Sequence, residues 1–341
     1  MSPDRFQAIT DRYASLRLVV LGDFCLDRYL EIDPARQETS IETGLPVHNV
    51  VNVRPQAGGA GTIVNNLAAL GISTIHPVGF AGQDGEGYEL WHALEQQPGV
   101  GMGYFVRTTQ RRTFTYCKPL VMASGVAPVE LNRLDLKNWT PTPALLQGLL
   151  IDRLQRAVEG AAGVIVMDQV PIPESGVVTQ KVLQALGAMA QARPDLLILA
   201  DSRRGLRGFP PVRFKMNAAE LAALRGVDSL GPAEIESAAA ALAGANGKSV
   251  FVTLAERGIL GVTPAGRTEL VPALPVHGEV DIVGAGDAVS ANLVAALAAG
   301  ADLREALELA NAAASVVIHK LGTTGTASVV ELGERLLPAS S

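Results

Sequence analysis

With 341 residues, nearly half of them hydrophobic and 4% aromatic, the chain carries enough Ala, Leu, Val and Gly to build a large α/β core. A net charge of −6 without any Lys/Arg block argues against a nucleic-acid partner. No apolar run reaches bilayer-spanning length and the first residues lack a signal-peptide core, so a cytoplasmic protein without a membrane partner is expected.

Short, continuous apolar runs at 18–23, 164–168, 196–201 and 249–253 read as strands buried on both faces. Helical spacing is predicted over 62–70, 85–96, 144–159, 177–191, 217–225, 232–244, 288–299 and 303–319. That alternation implies an α/β fold with a central, mostly parallel sheet flanked by helices, and ligands of such sheets gather at the strands' carboxyl ends. Two stretches, 29–57 and 104–122, instead mix charge, Thr and β-branched residues as half-exposed strands do. We read them as a small β-sheet lid on one domain covering 1–341, useful where water must be excluded from a reaction. Cys25 and Cys117 are too few for a disulfide framework or a zinc site and read as buried free thiols.

The chemistry-bearing residues follow in the same order. Asp23 and Asp27 fall just past the first strand, where a carboxylate can accept two sugar hydroxyls; Asp27 equally suits a pairing with Arg28. Gly58 and Gly59 open a helix that carries Asn65, and bare glycines there admit a small polar ligand. The same glycines would also serve a plain strand–helix turn. Arg107, Arg111, Arg112 and Lys118 on the lid, with Arg203, Arg204 and Arg207 after the 196–201 strand, suit a phosphorylated ligand, although each alone is ordinary surface charge. The five histidines show no ligand spacing.

Most informative is Asp281-Ile-Val-Gly-Ala-Gly-Asp287, followed by an Ala/Leu-rich segment. Gly284, Ala285 and Gly286 let backbone N–H groups converge at a helix start, which favours an anionic transition state. Asp287 beside them can take a proton from an acceptor hydroxyl, or act simply as the helix N-cap.

Taken in order, these motifs resemble the ribokinase-like (PfkB) carbohydrate kinases over roughly 17–333. The remaining ones are Gly82-Gln-Asp84-Gly-Glu-Gly87, Asn217-Ala-Ala-Glu220 and Thr253-Leu-Ala-Glu-Arg-Gly258. The resemblance implies ATP-dependent phosphorylation of a sugar-like hydroxyl, with Asp287 as base and Gly284, Ala285 and Gly286 as anion hole. It further implies that Asn217 and Glu220 organise phosphate and, indirectly, Mg2+. Thr253, Gly258 and Asn311 then lie on the nucleotide side, with Asp281 at a possible K+ site. Asp23, Asp27, Gly58, Gly59, Asn65 and Arg112 lie on the sugar side. A homodimer through the lid is also implied.

Within the family the chain is most similar to bacterial heptose 7-phosphate kinases, through Gly22-Asp-Phe-Cys-Leu-Asp-Arg-Tyr29, Thr43-Gly-Leu-Pro-Val-His-Asn-Val50 and Lys320-Leu-Gly-Thr-Thr324. A kinase module without a cytidylyltransferase domain is expected. Ile282, Val283 and Ala288 stand where relatives carry hydroxyl side chains. The alternatives are a nucleoside-kinase-like enzyme, for which Tyr104, Phe105, Phe114 and Tyr116 could stack a base, and a non-catalytic sugar-binding protein retaining the fold.

Overall fold

A computed structural model describes residues 1–337. Eight strands form the main sheet, in the order Thr268–Val271, Ile259–Val262, Val250–Thr253, Arg213–Asn217, Leu197–Ser202, Gly163–Asp168, Arg17–Gly22, Thr74–Val78. Neighbours from Val250–Thr253 to Thr74–Val78 are all parallel, and the first two strands in that order pair antiparallel.

Alternate residues of one strand enter opposite layers. Leu18 and Val20 pack with Ile63, Leu67, Val289 and Leu293 from helices Ala60–Ala69 and Ala285–Ala298. Val19 and Leu21 pack with Leu150, Leu154, Val182 and Ile235 from helices Ala144–Ala157, Gln180–Ala192 and Pro232–Asn246. Burial on both faces explains why these strands read as unbroken apolar runs rather than alternating ones. Among the described residues no helix is long and apolar enough to cross a membrane.

Parallel pairing aligns the carboxyl ends. Met167 pairs with Asp201, Asp168 with Ser202, and Asn217 with Thr253, so the polar residues ending each run form one row along the sheet.

The small sheet springs from that row. Phe24–Ile32 starts one residue after Arg17–Gly22 ends, with Asp23 between them. It pairs antiparallel with Val50–Gly59 and parallel with Phe114–Val121, to which Val129–Glu130 and Leu134–Leu136 add. The lid stretches are therefore shifted from their sequence bounds. The strand begins at residue 24, because the backbone leaves the main sheet at Asp23. Val106–Thr108 pairs instead with Phe80–Gly82, outside the small sheet.

Three further differences concern helices and edges. Pro3–Thr10 and Val329–Leu336 are additional helices, capped by Ser2 and Ser328. The antiparallel edge strands were not anticipated, since short strands beside Gly258 carry little periodicity. Helix Ala285–Ala298 begins three residues before the expected 288, for the reason given below.

Candidate active site

The glycine loop closes on the helix it was expected to open, but in a different register. Gly284 adopts φ +81° and precedes Ala285 as N-cap, so Asp287 is the third helical residue and not the cap. The left-handed conformation suits glycine, and a Cβ there would lie 2.7 Å from Thr324 Cγ2. Among the described residues the N–H groups of Gly286 and Asp287 have no backbone acceptor, as the first turn of a helix dictates. They leave a small donor surface with the positive end of the helix dipole behind it.

Lys215 lies against that surface, and sequence reasoning missed it. It is 6% exposed on strand Arg213–Asn217, and its Nζ bonds Asp201 Oδ2 at 2.7 Å. A Cβ at Gly286 would stand 3.0 Å from the same Nζ, so the ammonium sits directly beside the bare glycine. Ser290 Oγ, one turn along the helix, donates to Asp201 Oδ2 at 3.1 Å and so fixes the pair from the other side. The carboxylate of Asp201 keeps Lys215 protonated: burial pulls its pKa down, and the ion pair raises it further than burial lowers it. A lysine between buried Phe214 and Met216, two residues before Asn217, is the signal that could have exposed it.

Asp287 is half-buried in the cleft beside this pair. Burial, and after it the charge of Asp201, pushes its carboxyl up to about 7, while Lys215 and Arg203 pull in the other direction. No hydrogen bond or ion pair occupies its side chain among the described residues. Asp27 also acts on Asp287 as a like charge, which puts the two carboxylates in one cleft.

Asn217 and Glu220 form a reciprocal capping box: Glu220 N–H donates to Asn217 Oδ1 at 2.8 Å, and Asn217 N–H to Glu220 Oε2 at 2.7 Å. Burial raises the Glu220 carboxyl, with Asp201 adding and Lys215 and Arg203 opposing, so Glu220 belongs to the same charged group as Asp287. Among the described residues no three His, Cys, Asp or Glu side chains converge as a metal-binding set. A divalent ion here fits only as one that a single carboxylate, Glu220, shares with a phosphorylated ligand.

On the other side of the cleft the two early aspartates divide their work. Asp23, 1% exposed, accepts three backbone N–H groups: Gln169 at 2.9 Å and Val170 at 3.0 Å through Oδ2, and Val177 at 2.6 Å through Oδ1. Its carboxylate therefore clamps the 169–177 loop, leaving little capacity for two sugar hydroxyls. Asp27 sits over the glycine turn, where a Cβ on Gly58 would be 2.5 Å from its Oδ2. Lys118, not Arg28, is its partner, with Nζ 3.2 Å from Oδ1; Arg28 pairs with Glu89. Gly59 has φ +58° and a Cβ there would meet Asp23 O at 2.5 Å, so both glycines are required by the aspartates around them. The Asn65 amide donates to Ala57 O at 3.3 Å, and its Oδ1 is buried without a partner.

Other expected residues stand farther from this centre. Arg112 reaches Glu86 at 3.5 Å with a largely exposed side chain, and no contact ties it to Asp27, Gly58 or Asp287. Of the cations thought to suit phosphate, Arg107 lies over the Trp91 ring, Arg111 bonds Thr140, Arg204 pairs with Asp168 and Arg207 bonds Leu224 O. Only Lys118 and Arg203 bear on the cleft. Thr253 ends its strand beside Asn217 and donates to Met216 O at 3.5 Å. Gly258, with φ +96°, makes the turn into the next strand, packed against Val271 O. Asn311 donates to Pro272 O, joining helix Leu303–Val317 to the segment after the edge strand. Asp281 accepts Val283 N–H at 3.0 Å and donates its own N–H to Ile318 O at 2.8 Å, bracing the loop ahead of Gly284.

A strand of the small sheet also reaches this loop. Gln56 bonds Thr323 Oγ1 at 2.8 Å and accepts Thr324 N–H at 3.4 Å, and Thr324 is the residue packed on Gly284.

Comparison with known proteins agrees with this layout. The family model described as pfkB family carbohydrate kinase matches residues 17–329. The chain is 33% identical over 325 residues to the bifunctional protein HldE of Gluconacetobacter diazotrophicus, covering 94% of this chain and 63% of that protein. The corresponding protein of Azorhizobium caulinodans is 31% identical, with 90% and 61% covered. The chain thus spans less than two thirds of the length of these relatives. Among solved structures, ribokinase of Arabidopsis thaliana complexed with ribose and ATP superposes with TM-score 0.68 at 21% identity, covering 95% of this chain and 99% of that one. Phosphofructokinase-2 of Escherichia coli in complex with substrates and products gives 0.71 at 20% identity, covering 94% and 98%. These two share the fold.

Proposed function

The chain belongs to the pfkB family of carbohydrate kinases, phosphotransferases with an alcohol acceptor, and from that premise we propose that it transfers the γ-phosphoryl group of ATP to a hydroxyl of a sugar phosphate, heptose 7-phosphate first among candidates. The observation that carries the reading is Asp287. It is a partner-free carboxyl with a raised pKa, on the first turn of a helix whose N–H groups are open and beside a buried ammonium.

In this reading Asp27 and the Gly58–Gly59 turn receive the sugar, and Asp287 orients its reacting hydroxyl and takes the proton. The open N–H groups of Gly286 and Asp287 face the charge that builds on the phosphoryl oxygens. Because that transition state is loose, placement and charge neutralisation matter more than basicity. Lys215 contributes a fixed positive charge that needs no reorganisation. Glu220 is the residue suited to hold Mg2+, which when bound supplies charge neutralisation on the phosphates. Asn217, Thr253, Gly258 and Asn311 border the nucleotide side.

Two finer elements belong to the same proposal. Asp281 and its loop would bind K+, and replacing K+ by choline should then slow turnover; a phosphofructokinase-2 relative in fold is described in complex with potassium. A homodimer through the small sheet is supported by the apolar side chains that it and its connections expose, among them Ile41 at 98%, Leu45 at 64% and Leu134 at 62%. A monomeric mass in solution would contradict it.

The test of function is an ADP-release screen over sugars, sugar phosphates and nucleosides. Turnover with heptose 7-phosphate supports the substrate assignment. Turnover only with unphosphorylated nucleosides overturns it.

A further inference from the structure

Asp23 holds a loop, and the loop presents a residue that neither the motifs nor the charge pattern singled out. Gln169 follows strand Gly163–Asp168, and its own N–H and that of Val170 are bound by Asp23 Oδ2. Its side chain is thereby set on the double-glycine turn, where Cγ would lie 3.3 Å from a Cβ at Gly59. There the Oε1 atom is buried without any hydrogen-bond partner, and the side-chain amide makes none elsewhere.

Asn65 Oδ1 is buried and unpartnered in the same way on the helix that this turn opens, and Asp27 Oδ2 overhangs Gly58. Three side-chain acceptors thus surround a turn whose own side chains are absent. An unmet buried acceptor is costly to a fold, so its retention points to a ligand that meets it. Acceptors clustered without a free cation among them fit hydroxyl donors and disfavour a phosphate. Lys118, the cation nearest to them, is already engaged by Asp27 and the Tyr29 hydroxyl.

We infer that Gln169 is a specificity-determining residue that accepts a hydrogen bond from a sugar hydroxyl, next to those read by Asp27 and Asn65, and that Asp23 is the positioning residue that aims it. The inference rests on the kinase reading above. It adds that the polyhydroxyl edge of the substrate lies against Gly58 and Gly59, so any phosphate the substrate carries points away from this turn.

The test compares wild type with Gln169→Met, which keeps side-chain length and removes the amide. Ribose, fructose 6-phosphate and heptose 7-phosphate serve as probes, with steady-state kinetics and probe-induced melting shifts as readouts. For whichever probe is phosphorylated, KM should rise roughly 10–100-fold, because a site built to pair a hydroxyl is left mismatched. The KM for ATP should stay within about twofold, and the melting temperature of the free variant should equal or exceed that of wild type, since an unmet buried acceptor has been removed. A sugar KM within about twofold of wild type overturns the inference while leaving the kinase reading standing. So does a parallel rise in both KM values with a lowered melting temperature, which marks a merely structural residue. If wild type neither phosphorylates nor binds any of the three, the sugar-kinase reading falls and takes this inference with it.

Discussion

Gly286→Ala separates the needs of the fold from those of the chemistry. Gly286 is the second residue of helix Ala285–Ala298, and only Gly284 on this loop has a positive φ, so an alanine at 286 meets no backbone strain. Helix propensity alone favours the change by up to about 1 kcal/mol. Against this, the new Cβ would stand 3.0 Å from Lys215 Nζ, and the ammonium, tied to Asp201 at 2.7 Å, must give by a few tenths of an ångström. The two effects nearly cancel, leaving stability within about 1 kcal/mol of wild type.

Turnover has no such compensation. The methyl group covers the N–H surface and moves the ammonium that faces it. Loss of one preorganised donor typically costs about 10²–10³ in kcat, or about 2.7–4 kcal/mol. The assay is kcat by coupled ADP release, alongside thermal unfolding. A stable variant that keeps turnover within threefold of wild type would refute the assignment of this surface to the phosphoryl group.

Two further outcomes follow from the same cleft. Lys215→Met strands the buried Asp201 carboxylate and should cost about 3–5 kcal/mol in denaturant unfolding, and adding Asp201→Asn should recover most of it; a single variant as stable as wild type would deny the pair its role. The pH profile of kcat/KM should fall on its acid side through about pH 7, because Asp287 must be ionised to take a proton. The sign for stability is opposite: a carboxyl raised in the fold favours the folded state when protonated and loses that contribution as pH rises through about 7. An acid limb near pH 4 would show that Asp287 is not the titrating base.

How much of this was legible beforehand depends on whether the relevant residues are neighbours in the chain. The loop from Gly284 to Asp287 is contiguous, and its glycines and helical sequel identify it without tertiary information. Even so, its register was misread, because Gly284 can take the left-handed conformation and so lets the helix start at Ala285. The parallel strands were readable because burial on both faces leaves an unbroken apolar run, whereas the short edge strands around Gly258 leave none. Lys215 and Gln169 were not legible. Their significance arises from what adjacent strands bring beside them, Asp201 and Gly286 for one, Asp23 and Gly59 for the other. Asp23 and Asp27 illustrate the same limit: two carboxylates four residues apart look interchangeable until the 169–177 loop claims one of them.

Asp287→Asn tests the central claim most directly, with ADP release measured at pH 8 beside thermal unfolding and nucleotide binding. The account predicts turnover lower by roughly 10²–10⁴ with ATP affinity kept. It also predicts a melting temperature at or above that of wild type, because an ionised half-buried carboxyl has been replaced by a neutral amide. Turnover within a few-fold of wild type in a folded, nucleotide-binding variant would contradict it.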